Sequence, residues 1–88
     1  MNHPTKYRTL QALASETRYK IVMFLIEWKT ATVQEVSEAI AMSHSATSHQ
    51  LAVLLACDVV SAEKQGRFQM YRIAKTDAGT MARKLMRV

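Results

Sequence analysis

The chain has 88 residues, 49% apolar and 22% charged, with two Gly and one Pro. That composition predicts a single ordered, mostly helical domain and excludes a disordered or collagen-like chain. A core of this size is small, so association with a second subunit is expected, and a net charge of +5 favours a polyanionic partner.

Cysteine and hydropathy narrow the setting. Cys57 is the sole cysteine, which rules out an intrachain disulfide and a four-cysteine zinc site and points to a reducing cytoplasm. The apolar run Ile21 to Ile26 lies between Lys20 and Glu27 and is far shorter than the roughly 18 residues of a membrane span. It is also too short for a signal-peptide core, so no membrane partner is expected. Residues 1–29 carry five Lys/Arg against two Glu, residues 30–63 none against four acids, and residues 64–88 seven against one Asp.

In chain order, Tyr7, Leu10, Leu13 and Ala14 recur at helical spacing and predict a first helix, α1, ending near residue 14. Ser15 offers a capping oxygen to a second helix, α2, with Glu16 in its positive first turn and an end near Trp28. Arg18, Ile21, Val22, Leu25 and Trp28 form its inner stripe. Tyr19, Met23 and Ile26 form a second apolar stripe, which either faces a partner subunit or belongs to a helix buried on several sides.

Thr32 and Glu35 match the T-x-x-E capping box, and Val33, Val36 and Ile40 form one face of a short helix, α3. After a tight turn at Ala41-Met42-Ser43, Ser43 caps α4, residues 44–56, with Ala46, Leu51, Val53 and Leu54 inward and Gln50 at the edge. Its polar face of His44, Ser45, Thr47, Ser48 and His49 has the layout of the second helix of a helix-turn-helix, the one that enters a DNA groove. Asp58 is expected to close α4, being tolerated in the left-handed conformation less readily than Gly.

Val59–Lys64 and Phe68–Ile73 read as strands β1 and β2 joined by Gln65-Gly66-Arg67, a wing with Lys64 and Arg67 at its 64–68 tip. Thr76 and Asp77 start α5, whose Ala78, Met81, Ala82, Leu85 and Met86 make an apolar face, with Arg83, Lys84 and Arg87 towards its C-terminal end. The expected fold is mainly α with a small β-hairpin: a winged helix-turn-helix, α1-α2-α3-α4-β1-β2-α5, spanning residues 1–88 as one DNA-binding domain.

Three segments together resemble the ArsR/SmtB family of winged helix-turn-helix repressors: L-x-x-L-A-S-E-T-R-Y-K-I-V-x-x-L (Leu10–Leu25), V-x-E-V-S-E-A-I-A-M-S-H-S-A-T-S-H-Q-L-A-V-L (Val33–Leu54) and G-R-F-Q-M-Y-R-I (Gly66–Ile73). The resemblance implies a homodimer held by its terminal helices, about 5–14 and 77–88, that binds a pseudo-palindromic operator on double-stranded DNA until a signal releases it. Carried over position by position, Ser45, Thr47, Ser48 and His49 approach base edges, His44 and Gln50 lie beside them, and Arg67 reaches backbone or minor groove. Tyr7, Leu10, Tyr19, Met23, Ile26, Met81 and Leu85 are the expected interface residues.

The chain also departs from that family. Family members carry basic residues after the H-Q-L, where this chain has Ala52 and Leu55, and a helix-closing Gly where it has Asp58. Phosphate contacts are therefore expected from Arg67, Lys64, Arg72, Arg18 and the basic segment with Lys6 and Arg8, in binding that weakens steeply with salt. Metal-sensing members carry cysteines on α3, where this chain has Thr32, Val33 and Gln34, or Asp/His pairs on the last helix, where it has Asp77 alone. No metal site or other cofactor is expected, and the inducer is not specified. An intersubunit site from His3 and Cys57 is the alternative.

Cys57 reads as a small buried hydrophobe or, alternatively, as a thiol-redox sensor. His44 and His49 either donate to bases or phosphates, gaining charge in mildly acidic solution, or are ordinary surface and edge residues. The Ser/Thr/His cluster of α4 lacks an orienting acid, an oxyanion hole and a pocket, so catalysis is not expected. A protein-interaction or dimerisation module with weak DNA binding is the alternative function; its support is the acidic middle segment.

Overall fold

The computed structural model describes residues 4–87, in the order α1 Pro4–Leu13, α2 Glu16–Trp28, α3 Val33–Ile40, α4 His44–Ala56, β1 Val60–Gln65, β2 Phe68–Ile73 and α5 Asp77–Leu85. This is the predicted winged helix-turn-helix order. Helix α1 begins three residues earlier than its apolar spacing indicates because Pro4 sits in its first turn, where a missing amide costs nothing. Its buried residues are Thr9 and Ala12, whereas Tyr7 and Leu10 point outward.

Four helix starts are capped by hydroxyls. Ser15, Ser43 and Thr76 each accept a hydrogen bond from the amide three residues on, and Thr32 and Glu35 complete a reciprocal capping box. The ends are less conventional. Lys29, Ala41 and Asp58 close α2, α3 and α4 with φ of 73°, 57° and 60°. After α4, the Asp58 amide donates to the Leu55 carbonyl and the Val59 amide to the Leu54 carbonyl, the paired bonds of a Schellman closure with Asp in the position usually held by Gly. Leu54 and Val59 are both fully buried, which supplies the apolar contact that accompanies this motif.

The core gathers Ile21, Val22 and Leu25 of α2, Val36 of α3, Leu51 and Leu54 of α4, Val59, Val60 and Ile73 at the base of the wing, and Ala78, Ala82 and Met86 of α5. The inner stripe of α2 differs from expectation at Trp28, which is 58% exposed and stacks on Phe24 with ring centroids 5.3 Å apart. In α4 the buried positions are Thr47, Leu51 and Leu54, while Ala46 and Val53 are half-buried.

Strand β1 pairs antiparallel with β2 from Val60↔Ile73 to Gln65↔Phe68. The loop is therefore Gly66-Arg67, one residue shorter than predicted. Gly66 has φ +63° and Arg67 does not have a positive φ, the sign pattern of a type II′ turn. Ala31, in the α2–α3 connection, exchanges two backbone hydrogen bonds with Tyr71, an isolated β-bridge that ties the connector to the edge of the two-stranded wing. Thr76 Oγ1 donates to the Asp58 carbonyl at 2.6 Å while accepting from the Gly79 amide, so one hydroxyl joins the end of α4 to the start of α5.

Gly79 is buried because the chain turns back on it: a Cβ there would collide with the Ala74 carbonyl. Gly79→Ala is expected to destabilise by about 2–3 kcal/mol, as overpacking does. Lys29 sits in a γ-turn, with φ 73°, ψ −53° and the Thr30 amide donating to the Trp28 carbonyl at 2.9 Å, a strained conformation for a residue with a Cβ. Lys29→Gly should raise stability by about 1 kcal/mol. Urea unfolding monitored by circular dichroism measures both changes, and opposite signs are expected for the two substitutions.

Candidate DNA-binding interface

The outward face of α4 follows from where its apolar residues go. With Thr47, Leu51 and Leu54 inside, His44, Ser45, Ser48, His49, Ala52 and Ala56 are exposed on the opposite side. Four of these six carry hydroxyls or imidazoles and none carries a charged carboxylate or ammonium. The face can hydrogen-bond base edges directly. It supplies none of the lysines and arginines that neutralise phosphate.

Positive potential comes from two other sources. Lys64 and Arg67 are exposed at the far end of the hairpin, on either side of the Gln65↔Phe68 pair. The wing folds back so that Arg67, Phe68, Gln69 and Tyr71 line a cleft of about 460 Å³ together with His44 of α4 and Thr32, Val33 and Gln34 at the start of α3. Two helix N-termini thus open on the same cleft beside an arginine, and each end carries a partial positive charge and free amides. A phosphate is well matched to such a place.

Three residues on this rim, Gln34, Phe68 and Gln69, were not singled out from the sequence. Phe68 is 58% exposed despite its size. Its position as an apolar residue directly after a turn is the only sequence sign that it stands in solvent.

Four predicted contact residues are placed elsewhere. Thr47 is fully buried, and its Oγ1 donates to the Ser43 carbonyl at 2.8 Å, so it serves the helix start rather than the outer face. Arg18 Nε donates to the Ala12 carbonyl and its Nη1 to Gln50 Oε1, both at 2.8 Å. Those two bonds engage both Arg18 and Gln50 in holding α1, α2 and α4 together. Arg72 Nη2 meets Glu63 Oε1 at 3.0 Å on the diagonal of the hairpin, so part of its charge is compensated within the wing.

The residues expected at a subunit contact divide similarly. Tyr7, Leu10, Tyr19 and Leu85 are exposed by 64, 45, 46 and 43%. Met81 is half-buried. Met23 and Ile26 are half-buried against this protomer's own core, so only Tyr19 of the second α2 stripe stands clear of it. Cys57 is half-buried at the end of α4, and His3 lies outside the described residues. Among the described residues no group of three or more His, Cys, Asp or Glu is arranged to hold a metal ion, and no helix is long and apolar enough to cross a membrane.

Residues 15–62, which include α2, α3, α4 and the start of the wing, match the family model described as bacterial regulatory protein, arsR family. The chain belongs to the ArsR family. The HTH-type transcriptional regulator NmtR of Mycobacterium tuberculosis is 40% identical over 68 residues, 77% of this chain and 56% of that protein. The chain spans about half the length of the curated relatives it matches. Among solved structures, HlyU of Vibrio cholerae is 28% identical with a TM-score of 0.81 over 92% of this chain and 87% of its own. The homodimeric winged helix-turn-helix DNA-binding domain of a possible ArsR-family regulator from Mycobacterium bovis is 27% identical, again with a TM-score of 0.81, over 92% of this chain and 74% of its own. This ArsR-family chain therefore shares both the fold and the wing of its solved neighbours.

The Arg18 geometry has a measurable consequence. Arg18→Ala should cost about 2 kcal/mol of stability, the range for charge-assisted hydrogen bonds lost from a half-buried site. The dependence of DNA affinity on salt is expected to stay as in the wild type, because Arg18 is turned to the Ala12 carbonyl and Gln50 rather than to the exposed face of α4. Urea titration and a salt series of mobility shifts report the two quantities separately.

Proposed function

We propose that this ArsR-family chain is a homodimeric, sequence-specific DNA-binding repressor. The carrying observation is the exposed, uncharged face of α4 beside a cleft shared by the N-termini of α3 and α4 and by Arg67 of the wing. In this reading α4 lies in the major groove, where Ser45, Ser48 and His49 meet base edges and His44 lies beside them. Lys64 and Arg67 contact the backbone or the adjacent minor groove.

Tyr7 and Leu10 on α1, with Met81 and Leu85 on α5, form the contact between two copies, and Tyr19 extends it. Support comes from their exposure on two helices that pack side by side, and from the Mycobacterium bovis neighbour, which is homodimeric. A two-fold dimer places its recognition helices about 34 Å apart, matching two half-sites of a pseudo-palindromic operator one helical turn apart.

In this reading Lys64 and Arg67 are the two side-chain cations of each protomer that meet phosphate. A dimer then neutralises about four phosphates, giving a slope of log affinity on log salt of about −4. Arg67→Ala, present in both subunits, should weaken every DNA sequence alike and reduce the slope by about two. Ser48→Ala and His49→Ala should instead relax discrimination at particular base pairs, by about 1–3 kcal/mol at each affected position, with the slope unchanged. Mobility shifts on the DNA upstream of the chain's own gene, at two salt concentrations, test the reading. Absence of a shift at low salt would overturn it in favour of a protein-interaction module.

A further inference from the structure

A second cleft, of about 360 Å³, opens where the α2–α3 connection, the end of β2 and α5 meet. Its lining includes Lys29 and Thr30 from the connection, Arg72 and Lys75 from the end of β2 and the residues after it, and Thr80 and Arg83 from α5. We propose that this cleft binds a small, multiply phosphorylated anion.

Charge carries the proposal. Four of the eight lining residues are cations and none is an acid. Like charges gathered round one cavity repel, and the repulsion is relieved when a polyanion enters. Glu63 engages Arg72 through Nη2 only, so the other guanidinium nitrogens remain available for a bidentate contact. Lys29, Lys75 and Arg83 are exposed, and no salt bridge occupies them among the described residues. The hydroxyls of Thr30 and Thr80 add neutral hydrogen-bonding groups of the kind that orient phosphate oxygens. A cavity of this volume lies at the lower end of small-molecule sites and is roomy for a single phosphate, which favours two or more linked phosphoryl groups.

Position separates the cleft from the proposed DNA interface. It shares no lining residue with the cleft beside His44 and Arg67. Arg72 lies five residues beyond Arg67 of the hairpin loop, about 17 Å at the rise of an extended strand. The phosphates proposed are those of a free small molecule, with the DNA backbone as the alternative source that the experiment distinguishes. Bound there, the anion draws Arg83 of α5 and Lys75 towards Lys29. It would thereby tie the helix proposed for dimer contact to the connector that Ala31 pins onto the wing. The regulatory consequence, a change in operator affinity, rests on the DNA-binding reading; the binding itself does not.

Inorganic pyrophosphate is the probe, titrated calorimetrically into the full chain at ionic strength balanced with sodium chloride. Saturable binding at one site per chain is expected, weakened at least tenfold in a Lys75→Gln/Arg83→Gln variant and unchanged in Lys64→Gln/Arg67→Gln. Lys29→Gln, a single change on another element, should weaken binding about threefold and guards against misfolding of the double variant, which a circular dichroism melt detects. Equal weakening in the cleft and wing-tip variants, or heat that never saturates, would show diffuse attraction to a basic protein and overturn the proposal. So would a wild type that ignores pyrophosphate while Lys75→Gln/Arg83→Gln lowers the salt slope of DNA binding, since the cleft would then hold backbone phosphate. A wild type that binds pyrophosphate yet shifts no DNA at low salt would leave the site standing and remove only the repressor reading.

Discussion

One guanidinium ties three helices together. Arg18 stands in the first turn of α2, donates through Nε to the Ala12 carbonyl and through Nη1 to Gln50 on α4. Ala12 lies in the last turn of α1, where carbonyls lack helical partners and a cation is favoured by the helix dipole. A single side chain therefore satisfies the end of one helix and ties it to another. Beneath it, Ile21, Val22 and Leu25 pack with Leu51 and Leu54, contacts that supply most of the apolar stabilisation without a preferred direction. Burial of Leu51 and Leu54 decides which face of α4 is turned outward, and the directional bonds of Arg18 fasten α4 to α1 and α2 in that orientation.

In the proposed DNA-binding reading, that face divides the labour between reading and holding. Base discrimination needs hydrogen-bonding groups of fixed geometry, which Ser45, Ser48 and His49 offer, whereas affinity needs charge. The chain puts its charge at the rim, in Lys64, Arg67 and two helix N-termini, and keeps Arg18 and part of Arg72 for internal use. The acids on α3 fit the same plan. Glu35 faces the Thr32 amide and Glu38 accepts from Gln34, so part of the negative charge of the middle segment is committed to caps and local bonds rather than opposing the DNA.

The order of elements was legible in the sequence because each boundary carries a chemical marker: Ser15, Thr32, Ser43 and Thr76 at helix starts, Asp58 at a helix end and Gly66 in the hairpin. The exposed half of the α4 face was legible too, from the alternation of hydroxyls with Leu51 and Leu54. What escaped depends on tertiary neighbours. Thr47 and Ser48 have similar side chains, and only a rotation of the helix by one position, set by the burial of Leu51 and Leu54, decides that the first is buried. Trp28 has the spacing of the inner stripe but projects beyond the core where α2 ends. Gly79 carries no local sign of its packing role, yet a Cβ there would collide with the Ala74 carbonyl. The pairing of Ala31 with Tyr71 spans 40 positions, beyond the reach of local periodicity.

Three left-handed or γ-turn residues, Lys29, Ala41 and Asp58, close α2, α3 and α4, and none is Gly. Each such residue costs on the order of 1–3 kcal/mol relative to relaxed backbone, so the surroundings must hold it there. At Asp58 they do so with two amide bonds, the buried Leu54–Val59 contact and the Thr76 hydroxyl on its carbonyl. At Ala41 the Met42 amide reaches back to the Ser37 carbonyl at 3.0 Å. At Lys29 the ladder between Ala31 and Tyr71 follows within two residues. The three closures thus lie at junctions where a second interaction pins the chain, and together they bracket the helix-turn-helix on both sides. A side chain with a Cβ at each narrows the conformations open to the turn, which suits a unit whose task is to present α4 at a fixed angle to the wing.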